Sequence, residues 1–318
     1  METKAYKQNE IVWLSVLQGF AMLLVVLGHV FHGEAHYNWE LTLQQVIYSF
    51  HMPLFMCVSG YLFYFTAIKK NKNYLDVVKN KAVRLLIPYF VLSVVTIVLK
   101  VSFSEYMRRG AEFSVNQLLD AFVWLTNMPL GEMWFINALF LLFLLYPLYG
   151  IADKKKIYEA LLLIAFIAFY FIQQNNPLPS FVFNYGSAIY YGFYFYVGIL
   201  LCKYGAKLLE KKLLIIPFVV AFAVLKILDI KDLPYLLPLC GTMASFYFAK
   251  MLAHVNPNMF KTFRNYTYQI FLIGIFPQIA VRVVIEKFAA HLCPPPIAGC
   301  NAIHFEHSRG PVYTCVGK

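Results

Sequence analysis

Residues 11–31 read IVWLSVLQGFAMLLVVLGHVF, an apolar segment that no Lys, Arg, Asp or Glu interrupts. A segment of about 20 such residues is long enough to cross the hydrocarbon core of a bilayer as a helix. It carries one imidazole, His29, near its end. Ionisable side chains within membrane spans are costly and are therefore functional candidates by default. The stretch predicts a transmembrane helix and makes His29 the first candidate for proton chemistry.

The composition of the whole 318-residue chain agrees with a membrane protein. Apolar residues make up 60% of it and charged residues only 14%, and the mean hydropathy is +0.62. A soluble domain has about a quarter of its residues charged. The net charge of +11 comes from short basic clusters between apolar runs, and this distribution argues against a nucleic-acid partner.

The repeated apolar runs predict an all-α, polytopic membrane bundle of about nine transmembrane helices. The predicted spans are residues 11–31, 46–66, 84–102, 133–150, 157–173, 183–201, 213–228, 233–252 and 266–285. Lys and Arg concentrate in every second loop, as the positive-inside rule requires for a cytoplasmic N-terminus. We therefore expect a multi-pass protein of a bacterial-type inner (plasma) membrane.

The predicted transmembrane domain comprises residues 1–288, and residues 289–318 form an atypical tail. The cysteines and histidines of this tail beyond residue 292 are Cys293, Cys300, His304, His307 and Cys315. Their spacing fits none of the common zinc patterns, so we expect no metal site. An irregular tail is one interpretation, and a replaced natural continuation of the chain is the other.

Several further polar residues lie on the predicted spans. His51 adds a second imidazole in the second span; the alternative is a structural histidine bonded to a neighbouring carbonyl. Arg84 begins the third span at its inner boundary, where a guanidinium can hold phosphate in a fork geometry. The alternative there is an ordinary topology determinant. In the fourth span, Trp134 suits an interfacial belt, and Asn137 needs a partner and orients either a substrate or a helix.

Four motifs together resemble the membrane acyltransferase type 3 family, in its fucose 4-O-acetylase-like and polysaccharide O-acetyltransferase branch. They are LQGFAMLLVVLGHV (17–30), YSFHMPLFMCVSGYLF (48–63), VRLLIPYF (83–90) and MWFINALF (133–140). The resemblance covers residues 11 to about 285. It implies a ten-helix type of membrane enzyme, and the tenth helix would fall where the atypical tail begins.

The resemblance implies transfer of an acyl group, acetyl by family default, from cytoplasmic acyl-CoA to a sugar hydroxyl. The acceptor would be a cell-envelope or exported glycan, or its lipid-linked precursor. The family's histidine falls on His29, which we take as catalytic. Gln18 stands where many members have a basic residue, and Leu139 where some branches have a glutamate. The candidate substrate- or CoA-binding residues are Arg84, His51, Trp134, Asn137, Tyr61 and Gln18.

The chemistry of His29 leaves two routes open. Its imidazole can act as a general base on the acceptor hydroxyl, or it can carry the acyl group covalently. CoA phosphates near Arg84 would let the pantetheine arm extend toward His29. No bound cofactor is expected, because acyl-CoA is a co-substrate. The alternative function is a polytopic transporter of a glycan or small solute without acyl chemistry; a membrane sensor is a third class.

Overall fold

The computed structural model describes residues 2–30, 38–102, 114–119, 123, 133–176, 183–230 and 233–274. Every regular element within these ranges is helical, as the apolar runs predicted. The α-helices are α1 (Glu2–Val30), α2 (Asn38–Phe63), α3 (Tyr74–Ser102), α4 (Val115–Leu119), α5 (Trp134–Leu144), α6 (Tyr146–Lys154), α7 (Lys156–Asn175), α8 (Tyr185–Tyr204), α9 (Ala206–Leu209), α10 (Ile215–Ile227), α11 (Leu236–Val255), α12 (Lys261–Asn265) and α13 (Thr267–Ile273).

Six helices in the described part of the chain are long and apolar enough to cross a membrane. They are Val12–His29, Trp39–Ile68, Tyr74–Ser102, Lys156–Asn175, Tyr185–Tyr204 and Leu236–Val255. Helices α5 and α6 would form a seventh span with a bend of 46° between them. Pro147 lies in the first turn of α6, a position that proline favours because it donates no N–H there. The multi-pass character is confirmed.

The predicted number of nine spans is not confirmed. The seventh predicted span, 213–228, contains the helix α10, which has only 13 residues and is shorter than the roughly 20 that a bilayer core requires. The ninth, 266–285, is described only to residue 274, where it contains α13. The predicted domain boundary at residue 288 and the tail 289–318 lie outside the described residues.

Helix α2 changes its winding before it ends. The five residues Tyr64–Ile68 form a π-helix, in which the Lys69 N–H donates to the Tyr64 carbonyl at 2.9 Å. The Tyr64 hydroxyl donates to Oδ1 of Asp153 at 3.1 Å. Ala67 and Ile68 are buried. A π-helical turn accommodates one more residue than an α-helical turn.

The described chain divides into two compact units, and the first contains residues up to 61 and from 198 to 274. In this unit α1 packs against α11, α12 and α13, and α10 packs against α11. Helix α8 approaches α2 closely at Gly198, where an added Cβ would overlap the Cys57 carbonyl and lie 2.9 Å from the Tyr61 nitrogen. A side chain at position 198 would therefore separate the two helices.

The second unit contains the described residues from 62 to 197. Here α3 packs against α5, and α6 packs against α7. Its core is aromatic: Phe63 contacts Phe143 with ring centroids 4.7 Å apart, and both rings also meet Phe195. Such stacking adds to the stabilisation from burial alone. Most of α3 is exposed, since only 22% of its span is buried within the structure.

Candidate active site

His29 lies in the last turn of α1 and is partly exposed. Its Nδ1 lies 3.5 Å from the hydroxyl oxygen of Tyr48 in α2. The imidazole and the phenol ring meet edge to face, with centroids 6.4 Å apart and an interplanar angle of 89°. When Nδ1–H donates to the Tyr48 oxygen, Nε2 keeps its lone pair and can accept a proton. The phenol therefore lies where it can select the basic tautomer of His29.

His51 lies one helical turn after Tyr48 and is only 3% exposed. Its Nδ1 lies 3.0 Å from the Ile47 carbonyl oxygen, which can only accept, so we assign the proton to Nδ1. The ring packs edge to face on Tyr48, with centroids 4.8 Å apart. This carbonyl bond is the one that the structural alternative for His51 predicted. We call His29, Tyr48 and His51 the imidazole cluster.

A glycine brings the two helices of the imidazole cluster together. A Cβ added at Gly28 would lie 3.4 Å from Cγ2 of Ile47 and 3.4 Å from Cε2 of Tyr48. These distances are ordinary van der Waals contact, so the backbone of α1 is separated from Tyr48 by little more than one methyl group. Close helix approach at small residues is typical of membrane bundles. Gly28 therefore holds His29 at the distance from Tyr48 that a hydrogen bond needs.

Two of the predicted site residues in the first unit lie away from this cluster. Gln18 is partly buried in α1, on the same side as His29 but about 16 Å along the helix. Tyr61 is 2% exposed and packs on Trp13 and Phe246, with ring centroids 5.6 and 6.0 Å away. It lies about 15 Å along α2 from His51. Their predicted binding roles stay predictions.

Trp134 and Asn137 belong to the second unit. The Trp134 carbonyl accepts a hydrogen bond from Nδ2 of Asn184 at 3.4 Å, and its ring lies 5.2 Å from that of Tyr191. Asn184 has the left-handed φ of 54° that asparagine tolerates better than most residues. Asn137 is fully buried, and neither its nitrogen nor its oxygen has a hydrogen-bond partner.

The basic residues at the start of α3 differ in burial. Arg84 is exposed, whereas Lys81 is partly buried. Nζ of Lys81 lies 4.0 Å from the centroid of the Phe143 ring and 5.6 Å from that of Phe63. Arg84 and Lys72 are near enough to Lys81 to repel it electrostatically. The sequence favoured Arg84 for its depth along the span, but burial favours Lys81. We call Lys72, Lys81 and Arg84 the basic cluster.

Tyr48 and Lys81 are the two residues that sequence reasoning missed. Tyr48 precedes His51 by three residues, and Lys81 precedes Arg84 by three, so each lies one helical turn from a predicted site residue. That spacing was the available signal. Phenols are common in apolar spans, and lysines are common at span boundaries, so neither residue type was specific enough.

Metal ligation has no support in the part of the chain described. Among those residues, no group of three or more His, Cys, Asp or Glu side chains is placed to hold a metal ion. The Cys and His residues of the tail, whose spacing argued against zinc, lie outside the described ranges.

Comparison with known proteins agrees with the sequence motifs. The family model described as an acyltransferase domain matches residues 11–298. The Nodulation protein NolL of Sinorhizobium fredii is 29% identical over 146 residues, which is 45% of this chain and 37% of that protein. Its namesake in Mesorhizobium japonicum is 30% identical over 133 residues, 40% of this chain and 33% of that protein.

These alignments cover little more than a third of the length of the nodulation proteins. No solved structure matches the chain significantly. The family model, by contrast, extends over nearly the whole chain and includes both imidazoles, the basic residues of α3 and the start of α5. The chain therefore belongs to the acyltransferase type 3 family of membrane acyltransferases.

Proposed function

We propose that the protein transfers an acyl group, acetyl in the simplest case, from cytoplasmic acyl-CoA to a hydroxyl group. The acceptor is a cell-envelope or exported glycan, or its lipid-linked precursor. The observation that carries this proposal is the imidazole cluster, in which Tyr48 lies against both His29 and His51. His29 is partly exposed, so a substrate can reach it.

In the first route His29 is a general base. Nε2 removes the proton of the acceptor hydroxyl as its oxygen attacks the thioester carbon. The C–S bond then breaks, and the CoA thiolate takes up the proton from the imidazolium. Tyr48 accepts a hydrogen bond from Nδ1–H and so stabilises the protonated ring, in the role of the third group in a catalytic triad.

In the second route His29 is a nucleophile. Nε2 attacks the thioester carbon, the CoA thiol leaves, and an acyl-imidazole remains on the protein. The acceptor hydroxyl then attacks that acyl carbon, its proton is lost to solvent or a nearby base, and neutral His29 is regenerated. This route predicts a labelled protein when acceptor is withheld, whereas the first route does not.

The basic cluster supports an anionic donor. Three cationic side chains within electrostatic range of one another suit the phosphates of CoA. The positive-inside pattern assigns this end of α3 to the cytoplasm, where acyl-CoA is made available. With a cytoplasmic N-terminus, α1 places His29 toward the opposite face. The protein would therefore occupy an inner (plasma) membrane as a multi-pass enzyme.

The test of this function follows the acyl group. Membrane vesicles containing the protein are given acetyl-CoA labelled in the acetyl group, and free CoA thiol and label are measured together. We expect thiol release that is matched by alkali-labile label in the lipid-linked saccharide or glycan fraction. A transporter releases no thiol, so uptake of a saccharide without thiol release would overturn the proposal.

We expect Lys81→Gln to raise the KM for acetyl-CoA about tenfold, because it removes a partly buried cation from the phosphate site. Arg84→Gln should have a smaller effect, since the exposed Arg84 is screened by solvent and salt. The measurement is initial-rate thiol release at several salt concentrations. Lys211→Gln removes an exposed cation from the first unit and is the matched control. Equal KM values for Lys81→Gln and Lys211→Gln would contradict the donor site.

A further inference from the structure

The buried side of α3 is unusually polar for a membrane helix. Beyond Val77, its buried residues are Tyr89, Ser93, Thr96 and Ile97. They follow the i, i+4, i+7 and i+8 spacing of a single helical stripe. Thr96 satisfies its hydroxyl by donating to the Leu92 carbonyl at 2.7 Å. Tyr89 and Ser93 remain as polar groups that face the interior of the second unit.

Helix α5 contributes the polar partner of this stripe. Asn137 is the only polar side chain apart from Trp134 in Trp134–Leu144, and α5 packs against α3. The Tyr89 hydroxyl interacts with the side chains of both Asn137 and Ser93. Yet neither amide atom of Asn137, nor Oγ of Ser93, makes a hydrogen bond of normal geometry. We call Tyr89, Ser93 and Asn137 the amide cluster.

An unsatisfied carboxamide is expensive in this environment. Each unpaired polar group in a hydrocarbon surrounding costs free energy, so buried exceptions indicate a missing partner. A carboxamide offers both N–H donors and a carbonyl acceptor. The group that satisfies both at once is another amide, which has an N–H and a C=O of its own.

The position of the amide cluster relative to the basic cluster suggests which amide it binds. Tyr89 lies eight residues beyond Lys81 on α3, or about 12 Å along the axis. Pantetheine joins the CoA phosphates to the thioester through three residue-length units, pantoic acid, β-alanine and cysteamine, and such a chain reaches about 10 Å when extended. Its two secondary amides fall between the two ends.

Helix α5 gives the same alignment from the other side. Phe143, the ring beneath Lys81, lies six residues from Asn137 on α5, about 9 Å along that helix. The two antiparallel helices thus carry a cationic end and an amide-binding end in the same order and at similar separations. A ligand with phosphates at one end and amides further along matches both helices.

We propose that Asn137, with Tyr89 and Ser93, binds an amide of the pantetheine arm of the acyl donor. The proposal rests on the proposed acyl-CoA-dependent function and adds a second donor subsite to the phosphate site. Asn137 is then a binding residue and not a contact that merely holds α3 to α5. The amide hydrogen bonds form only when donor is present, which explains why the carboxamide is left unpaired.

The test uses two donors, acetyl-CoA and S-acetylpantetheine, in the thiol-release assay. Asn137→Leu keeps a similar volume and removes both hydrogen-bonding groups. We expect it to raise the KM for both donors about tenfold or more, the effect of losing one to two buried hydrogen bonds, with a smaller change in kcat. Lys81→Gln should raise the KM for acetyl-CoA alone, because S-acetylpantetheine has no phosphates.

The matched control is Thr242→Val, which removes another fully buried hydroxyl without a partner, on α11 in the first unit. It should leave both KM values unchanged. A purely structural Asn137 would instead lower the Tm of the donor-free protein and leave both KM values within twofold of wild type, and this result overturns the proposal. Ser93→Ala is the milder variant if Asn137→Leu does not fold.

The failure of this inference is distinguishable from that of the function. If the wild-type protein releases no thiol from either donor, acyl-CoA is not its substrate and both proposals fall. If the wild type consumes both donors while Asn137→Leu and Ser93→Ala keep wild-type KM values, only the amide subsite is wrong.

Discussion

Alanine at position 29 is expected to lower acyl transfer by about 10²–10⁴-fold, the usual contribution of a positioned acid–base group. Both routes require a lone pair on the imidazole, and alanine has none. Because His29 is partly exposed at the end of α1, its removal leaves no large cavity in the core. We therefore expect the variant to keep its yield and Tm while losing acetyl label in the acceptor fraction.

Tyr48→Phe is the informative companion of that variant. It keeps the ring that packs on His29 and His51 and removes only the hydroxyl near Nδ1. We expect a smaller loss of about tenfold, because the imidazole remains but its tautomer is no longer selected. Full transfer by His29→Ala, measured on folded protein, would remove His29 from the mechanism and with it the reason for the imidazole cluster.

Alanine at Gly198 should have the largest effect on folding. The added Cβ would overlap the Cys57 carbonyl and lie 2.8 Å from the Cys57 carbonyl carbon. These are backbone atoms of α2, so no side-chain rotation relieves the overlap and the helices must separate. Overpacking at a rigid contact costs about 1–3 kcal/mol or more. We expect a clear fall in Tm and in the yield of monodisperse protein.

Gly150→Ala is the control for this prediction. Gly150 lies within α6, and a Cβ added there meets nothing within 4 Å. Alanine in an open helical position stabilises by about 0.5–1 kcal/mol relative to glycine. Its Tm should be equal to or above that of the wild type. A Gly198→Ala protein as stable as Gly150→Ala would show that α8 and α2 do not touch at this point.

The helices could be predicted from the sequence because burial in lipid leaves a simple signal. A run of about 20 apolar residues has few alternatives to a helix in a membrane. The bend between α5 and α6 and the shortness of α10 were harder to predict. Apolar composition continues through both regions, and a hydropathy window does not register where backbone hydrogen bonding is interrupted.

The site was partly predictable for a similar reason. His29 was conspicuous because an imidazole is rare in an apolar span. Tyr48 acquires significance only once Gly28 brings α1 against α2, and that contact is a property of packing. Arg84 and Lys81 show the same limit: depth along a span can be counted from the sequence, but which side chain turns inward depends on the aromatic rings of α5.

The π-helical segment of Tyr64–Ile68 makes the second unit sensitive to chain length rather than to residue identity at this point. Deleting one residue from it would restore ordinary α-helical winding and rotate all that follows by about 100°. Ala67 and Ile68 would then leave their buried side of the helix. Substitutions within the segment preserve the phase of the chain, whereas a single deletion would shift the following loop, with Lys72, away from Lys81 and Arg84.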